Sequence, residues 1–443
     1  MPPKKTAPKK KPAAIPFLAR AWAWLGVAAL AAGGIYAIIL VGARSPKVQN
    51  LLPFSEFFYT SLIVHVNLTV LVWMLSMTSM LWSFYATAPW KMLRTAAFLT
   101  AATGTLLMAI SPFTGEGHPL LNNYVPILAQ PVFLIGLSLF GCGILLQVTI
   151  ALADNFPRQY SEPVTFGLKC VAIVTALSLL CFGLSSIGLK ASGLKPQDYY
   201  DHLFWAGGHT LQIAYTLICL CAWLMLAQGV GLKLRTGDNW LRLFLALSVL
   251  ITIINPLIYG AWPTLSAEHQ IFFTEQMKWG GGISAILIGT ALVYALAKAK
   301  MPTASPARNA LISSLLLFMV GGSIGHLISG ANVVVPAHYH GSIVGVSLAM
   351  MGILYLKLPL LGGRAIDGRF VRLQPYLYGG GQLLHIAGLA WSGGYGTLRK
   401  TPGAAQSIEG QTAMGLMGFG GLLSIIGGLL FVVFIWRGLK KGV

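Results

Sequence analysis

The chain has 443 residues, 56% of them hydrophobic and only 9% charged, with a mean hydropathy of +0.73. So little charge over that length excludes a soluble globular domain and marks a polytopic membrane protein. A net charge of +19 raises nucleic acid as a partner, but the placement of the cations, described below, excludes it.

Residues 1–17, rich in Lys and Pro, read as a disordered basic tail. Twelve apolar runs of roughly spanning length follow, numbered here helices 1 to 12: 18–43, 58–84, 91–111, 123–153, 163–187, 200–229, 240–262, 267–297, 309–330, 335–360, 373–397 and 411–437. Hydrocarbon offers no water to an exposed backbone, so each run is expected to span as a helix. The fold class is therefore all-α, one twelve-helix membrane domain over 18–438 with 439–443 as a short C-terminal tail. The first run is too long for a signal-peptide core and lacks a cleavage site, so it reads as a retained anchor.

With the N-terminus in the cytoplasm, roughly 22 lysines and arginines fall in cytoplasmic segments and about 6 in external loops. Lys4, Lys5, Lys9, Lys10, Lys11, Lys233, Arg235, Lys298, Lys300, Arg364, Arg437, Lys440 and Lys441 are among the former. The positive balance thus orients the helices and meets anionic lipid, with both termini cytoplasmic. The expected location is a bacterial inner membrane, multi-pass. The five cysteines (Cys142, Cys170, Cys181, Cys219, Cys221) lie inside apolar runs without CxxC spacing. They are expected to be small buried residues.

Histidines carry the chemistry. His65 lies early in helix 2, His209 early in helix 6, and His338 and His340 open helix 10 in Val335-Pro336-Ala337-His338-Tyr339-His340-Gly341. Given the alternation of helices, all four sit about 5–15 Å into the outer side of the membrane. Packing histidines have no reason to share a level, whereas ligands of coplanar cofactors must. Residues at i and i+2 point about 200° apart on a helix, so His338 and His340 cannot serve one metal centre but can serve two on opposite sides of helix 10. Two hydrogen-bonded packing histidines are the alternative.

Helix 11 carries His385 and leads outward to Arg399 and Lys400, which are either solvated loop cations or partners of carboxylates. In helix 8, Glu275 and Lys278 at i, i+3 either neutralise each other or begin a proton route from the outside. The glycine-rich segments (Gly280 to Gly282, Gly321-Gly322, Gly379 to Gly381, Gly420-Gly421) lack phosphate-loop spacing and suit close helix packing or a flat cofactor.

Together, about twelve helices with histidines on helices 2, 6 and 10 resemble the main subunit of the haem-copper oxidase superfamily, which includes cytochrome c oxidase subunit I and the nitric oxide reductases. Ala337-His338-Tyr339-His340 is similar to the family's His-x-His. The resemblance implies two haems, expected to be b-type: one low-spin between His65 and His340, one high-spin on His338. It also implies that His209 ligates a second metal (Cu or Fe), and that Arg399 and Lys400 bind haem propionates. The implied function is a respiratory oxidoreductase that passes electrons from an external cytochrome c or cupredoxin-type donor to O2, within a complex of further membrane subunits.

The chain also departs from the family pattern. Where the family has a His-His pair on helix 7, this sequence reads Ile254-Asn255-Pro256-Leu257-Ile258-Tyr259-Gly260. His202, Gln212, Glu268 and His269 are substitutes without the family spacing. The tyrosine expected four residues after the helix-6 ligand is Ile213, which leans toward NO as the gas. A haem subunit that relays electrons or senses a gas, without a complete second-metal site, is the remaining alternative.

Overall fold

The computed structural model describes residues 17–42, 57–87, 89–154, 162–299, 303–330, 332–398 and 407–440. The expected disordered tail before Phe17 lies outside these residues, as do Arg399, Lys400 and 441–443.

Among the described residues the chain forms twelve helical rods that match the twelve runs: α1 (Phe17–Gly42), α2 (Phe57–Tyr85), α3 (Lys91–Ile110), α4 (Pro131–Ala153), α5 (Glu162–Gly188), α6 (Pro196–Gly229), α7 (Asp238–Ala261), α8 (Ala267–Lys298), α9 (Pro306–Gly325), α10 (Val334–Lys357), α11 (Arg369–Gly394) and α12 (Ile408–Lys440). Eleven are long and apolar enough to cross a membrane; α11 is long enough but falls short on hydropathy. Several of its polar side chains bond to neighbouring helices. Buried Gln374 donates to the Gly427 carbonyl of α12 (3.0 Å) and accepts from Tyr355 of α10 (2.9 Å). Tyr376 reaches Asn309 of α9 at 3.1 Å. Hydrogen bonds between helices thus replace hydropathy as the reason α11 belongs in the bundle.

The run 123–153 does not begin as a helix. Residues His118–Leu120 (β1) and Ile127–Ala129 (β2) pair antiparallel, and α4 starts only at Pro131. The Asn122 side chain accepts from the amides of Tyr124 and Val125 (3.3 and 3.0 Å), an Asx turn that bends the chain between the strands. α2 and α8 contain π-helical stretches at Asn67–Val72 and Gln276–Gly280, a rare geometry that often marks functional sites. α7 breaks after Thr252, where Pro256 has no N–H for the Thr252 carbonyl.

α6 and α10 stand at the centre, largely buried and packed on each other. Buried indoles pin them to their neighbours: Trp223 of α6 donates to Ser314 of α9 (2.7 Å), and Trp73 of α2 to Ser347 of α10 (3.0 Å). Each buries a large apolar ring with its one polar atom satisfied. α9 and α10 cross at Gly321 and Gly341, where a Cβ on Gly341 would lie 2.4 Å from Gly321 Cα. By contrast, Gly322 and Gly380 face open space with nothing within 4 Å of an added Cβ. The glycine-rich segments therefore mix packing positions with positions that border gaps.

At the end of the bundle opposite the histidines, buried Asp154 follows α4. It accepts from Arg94 of α3 and from the backbone and hydroxyl of Thr87 after α2. Of the cysteines, four are buried, but Cys142 is exposed on the outward face of α4, contrary to expectation.

Candidate functional site

His65 is the ninth residue of α2 and His340 the seventh of α10, while His385 is the tenth residue of α11 counted back from its end. Because α11 runs opposite to α2 and α10, these positions share a level. The His340 and His385 rings pack with centroids 4.9 Å apart at 62°, and His65 lies within electrostatic reach of His340. His338 turns the other way, to α9. Its Nδ1–H donates to the Gly321 carbonyl (2.8 Å), and a Cβ on Gly325 would come within 2.6 Å of that Nδ1. The two histidines of α10 thus serve opposite sides of one helix, as their i, i+2 spacing requires.

A carbonyl can only accept, so its partner nitrogen must carry the proton. His65 Nδ1–H donates to the Gly33 carbonyl of α1 at 2.8 Å, as His338 does to Gly321. In both, Nε2 keeps a lone pair with no hydrogen-bond partner among the described residues. This is the tautomer a metal-ligating imidazole needs, held by the carbonyl that commonly sets it. His340 has no hydrogen-bond partner among the described residues, and all three rings are half-buried. These three imidazoles fit axial ligation of haem iron. His385, whose Nδ1–H donates to the Met417 carbonyl of α12 (3.0 Å), is an additional imidazole against His340.

His209 differs. It is 2% exposed; its Nδ1–H donates to the Trp205 carbonyl (2.8 Å), and its Nε2 accepts from the Tyr124 hydroxyl (2.7 Å). Tyr124 comes from the turn between β1 and β2 and lies on α6 at Gly208, where a Cβ would fall 2.3 Å from its ring. The α7 segment that stands where the family has its His-His pair supplies an amide. Buried Asn255 donates to Thr210 (2.8 Å) and accepts from Gln276 of α8 (2.7 Å). His202 pairs with Gln270 (2.9 Å), and His269 packs between Tyr259 and Phe273. Among the described residues no three His, Cys, Asp or Glu side chains gather as a metal set. The residues around His209 therefore do not fit a second metal.

Glu275 and Lys278 are exposed on α8. Glu275 accepts from the Trp279 indole (2.7 Å), Lys278 lies 5.2 Å from the Trp279 ring centroid, and no ion pair joins the two among the described residues. Arg399 and Lys400 lie outside the described residues. Tyr124 was hidden in the sequence because its segment reads as the start of an apolar helix. The adjacent glycines of Gly207-Gly208-His209 were the one signal that something flat lies on α6.

Residues 17–430 match the family model of cytochrome c and quinol oxidase polypeptide I. An uncharacterised protein of Rickettsia prowazekii is 33% identical, with 96% of this chain and 97% of that protein covered. Cytochrome c oxidase subunit 1 of Thermus thermophilus is 23% identical over 79% of this chain and 70% of that one. In fold, the chain is similar to a solved haem-copper terminal oxidase dimer, with a TM-score of 0.76, 18% identity, and 96% and 84% of the two chains covered. The chain is a divergent member of the cytochrome c and quinol oxidase polypeptide I family, the main-subunit family of the haem-copper oxidases.

Proposed function

We propose that this chain is the haem-bearing subunit of a respiratory oxidoreductase that reduces O2, with His65 and His340 holding a low-spin haem and His338 a high-spin one. The observation that carries the reading is the opposite facing of His338 and His340, together with the free Nε2 lone pairs of His65 and His338. When bound, the haems would supply the redox chemistry, one accepting electrons from an external cytochrome c or cupredoxin-type donor and the other binding the gas. The residues hold and orient: Gly33 and Gly321 fix the tautomers of His65 and His338 through their carbonyls, and the α9–α10 glycine crossing sets the position of helix 10. Arg399 and Lys400 would neutralise the propionates, and further membrane subunits would bring the donor. The placement of cations in the sequence supports a bacterial inner membrane with cytoplasmic termini.

Two specific observations favour a second reading. Ile213 stands where an oxidase tyrosine would, which suits NO, and the capped His209 suits a haem subunit that relays electrons or senses a gas.

An optical spectrum of the purified, dithionite-reduced protein, before and after CO, tests the reading. Low-spin bands with a CO-shifted component are expected. His65→Ala or His340→Ala should remove the low-spin signal and spare CO binding, and His338→Ala should do the reverse. Low-spin bands without a CO response would select the relay, and absence of haem would refute both readings.

A further inference from the structure

We infer that Tyr124 and His209 form a buried hydrogen-bonded pair that takes the coordination position of the α6 imidazole, so that the chain binds no second metal there. Three independent features carry this.

Both nitrogens of His209 are engaged. Nδ1–H is tied to the Trp205 carbonyl of its own helix, one turn back, and Nε2 accepts the Tyr124 O–H at 2.7 Å. A metal would need the Nε2 lone pair and would have to displace the phenol from a buried position.

The phenol has a shaped seat. Its ring lies where a Cβ at Gly208 would fall, in edge contact with Trp205 (centroids 5.9 Å apart at 85°) and tilted over the His209 ring at 4.7 Å. Gly207 makes the same allowance for Phe182. The two glycines therefore have a steric reason to precede this histidine: each admits an aromatic ring to the helix surface.

Beside His209, α7 and α8 contribute hydrogen-bonded amides and no imidazole pair. Asn255 bonds to Thr210, the residue next to His209, and Gln276 bonds to both Asn255 and the Ile251 carbonyl (2.9 Å). One imidazole without companions makes a poor site for copper or iron, which take several protein ligands. The turn between β1 and β2 thus supplies a phenol where a metal-dependent relative would supply coordination.

The inference stands apart from the haem reading, and the test separates them. The full-length protein, purified as isolated and again after exposure to excess copper(II) or iron(II) and desalting, is analysed for metals and, separately, for haem by pyridine haemochromogen. Copper and non-haem iron are each expected below about a tenth of an atom per chain. About one atom per chain, lost in His209→Ala with haem content unchanged, would overturn the inference. A metal that His209→Ala retains sits elsewhere and leaves it standing. The pair itself is read from thermal midpoints of Tyr124→Phe, His209→Gln and the double variant. The double should fall no further than the worse single, and additive shifts would overturn the pairing. Missing haem would sink the proposed function and leave both outcomes readable.

Discussion

Gly341→Ala is the substitution that most sharply tests whether the α9–α10 crossing positions the histidines. An added Cβ would lie 2.4 Å from Gly321 Cα and 3.0 Å from Gly321 N. Carbon atoms rest at about 3.5–4.0 Å, so the contact is short by roughly 1.1–1.6 Å. The opposing atoms are backbone and cannot rotate away; the helices themselves must part. Overpacking of this kind costs about 1–3 kcal/mol, a factor of roughly 5–150 in the equilibrium that favours the close crossing. A displacement near 1 Å is also the scale at which a preorganised site loses its geometry. It would fall between α9 and the helix that carries both His338 and His340, and pull the Gly321 carbonyl from His338 Nδ1. The matched control is Gly322→Ala, one residue along α9 from Gly321, where nothing lies within 4 Å. Thermal unfolding in detergent and haem content per chain are the assays. Gly341→Ala should unfold earlier, by about 2–4 °C per kcal/mol, and retain less haem, while Gly322→Ala should match the parent in both. Equal behaviour of the two variants would refute the steric reasoning.

At the opposite end, Asp154→Ala leaves the Arg94 guanidinium buried without its carboxylate and frees the Thr87 donors. Breaking one side of such a pair costs about 3–5 kcal/mol, so a large fall in thermal midpoint is expected, and a change under about 1 kcal/mol would mean that water reaches the pair. On the surface, the Arg372 guanidinium holds the Asp367 carboxyl below the ordinary carboxylate range through a side-chain hydrogen bond. A depressed carboxyl stabilises the fold above its unfolded pKa of about 3.9 and loses that contribution as pH falls through its lower folded value. Arg372→Ala should therefore lower the midpoint at about pH 6, with the gap to the parent closing below about pH 4 and shrinking in high salt. A gap undiminished at about pH 3 would assign the effect to packing instead.

The twelve rods were legible because span length and hydropathy are sequence-local quantities, and ten of the twelve begin within four residues of the runs read from composition and end within three. The exceptions have physical causes. α4 starts eight residues late because Asn122 builds a turn from side-chain acceptance, which hydropathy does not register. α9 ends at Gly325, where the run continues to 330, since the chain must leave the helix before it can enter α10 at Val334. The opposite facing of His338 and His340 followed from helical periodicity alone. The partner of His209 did not, because Tyr124 is 85 residues away and arrives on a hairpin. Glu275 and Lys278 were read as a pair that either neutralise each other or begin a proton route; that both are exposed and turn to Trp279 instead depends on the rotation of α8, where a π-helical stretch spans Gln276–Gly280.

The two halves of the histidine cluster differ in how their lone pairs are used. On α2 and α10, His65 and His338 spend only Nδ1, on carbonyls, and keep Nε2 available. On α6, His209 spends both nitrogens. Removing a metal from a site built for one would leave imidazoles and neighbouring polar groups buried without partners, at about 1–3 kcal/mol each. Around His209 most of these groups are paired: Thr210, Asn255 and the Gln276 amide nitrogen are joined to one another across three helices, with Asn255 and Thr210 fully buried, while the Gln276 Oε1 and both ring nitrogens of His269 are buried without a hydrogen-bond partner among the described residues. The bonds of Asn255 and the Gln276 amide nitrogen tie α6, α7 and α8 together in their own right. It follows that Asn255→His, which would restore one imidazole to α7, should lower stability by breaking two buried hydrogen bonds before it gains any metal. A variant that instead bound copper or iron stoichiometrically with an unchanged thermal midpoint would show that the amides merely fill a site still shaped for coordination.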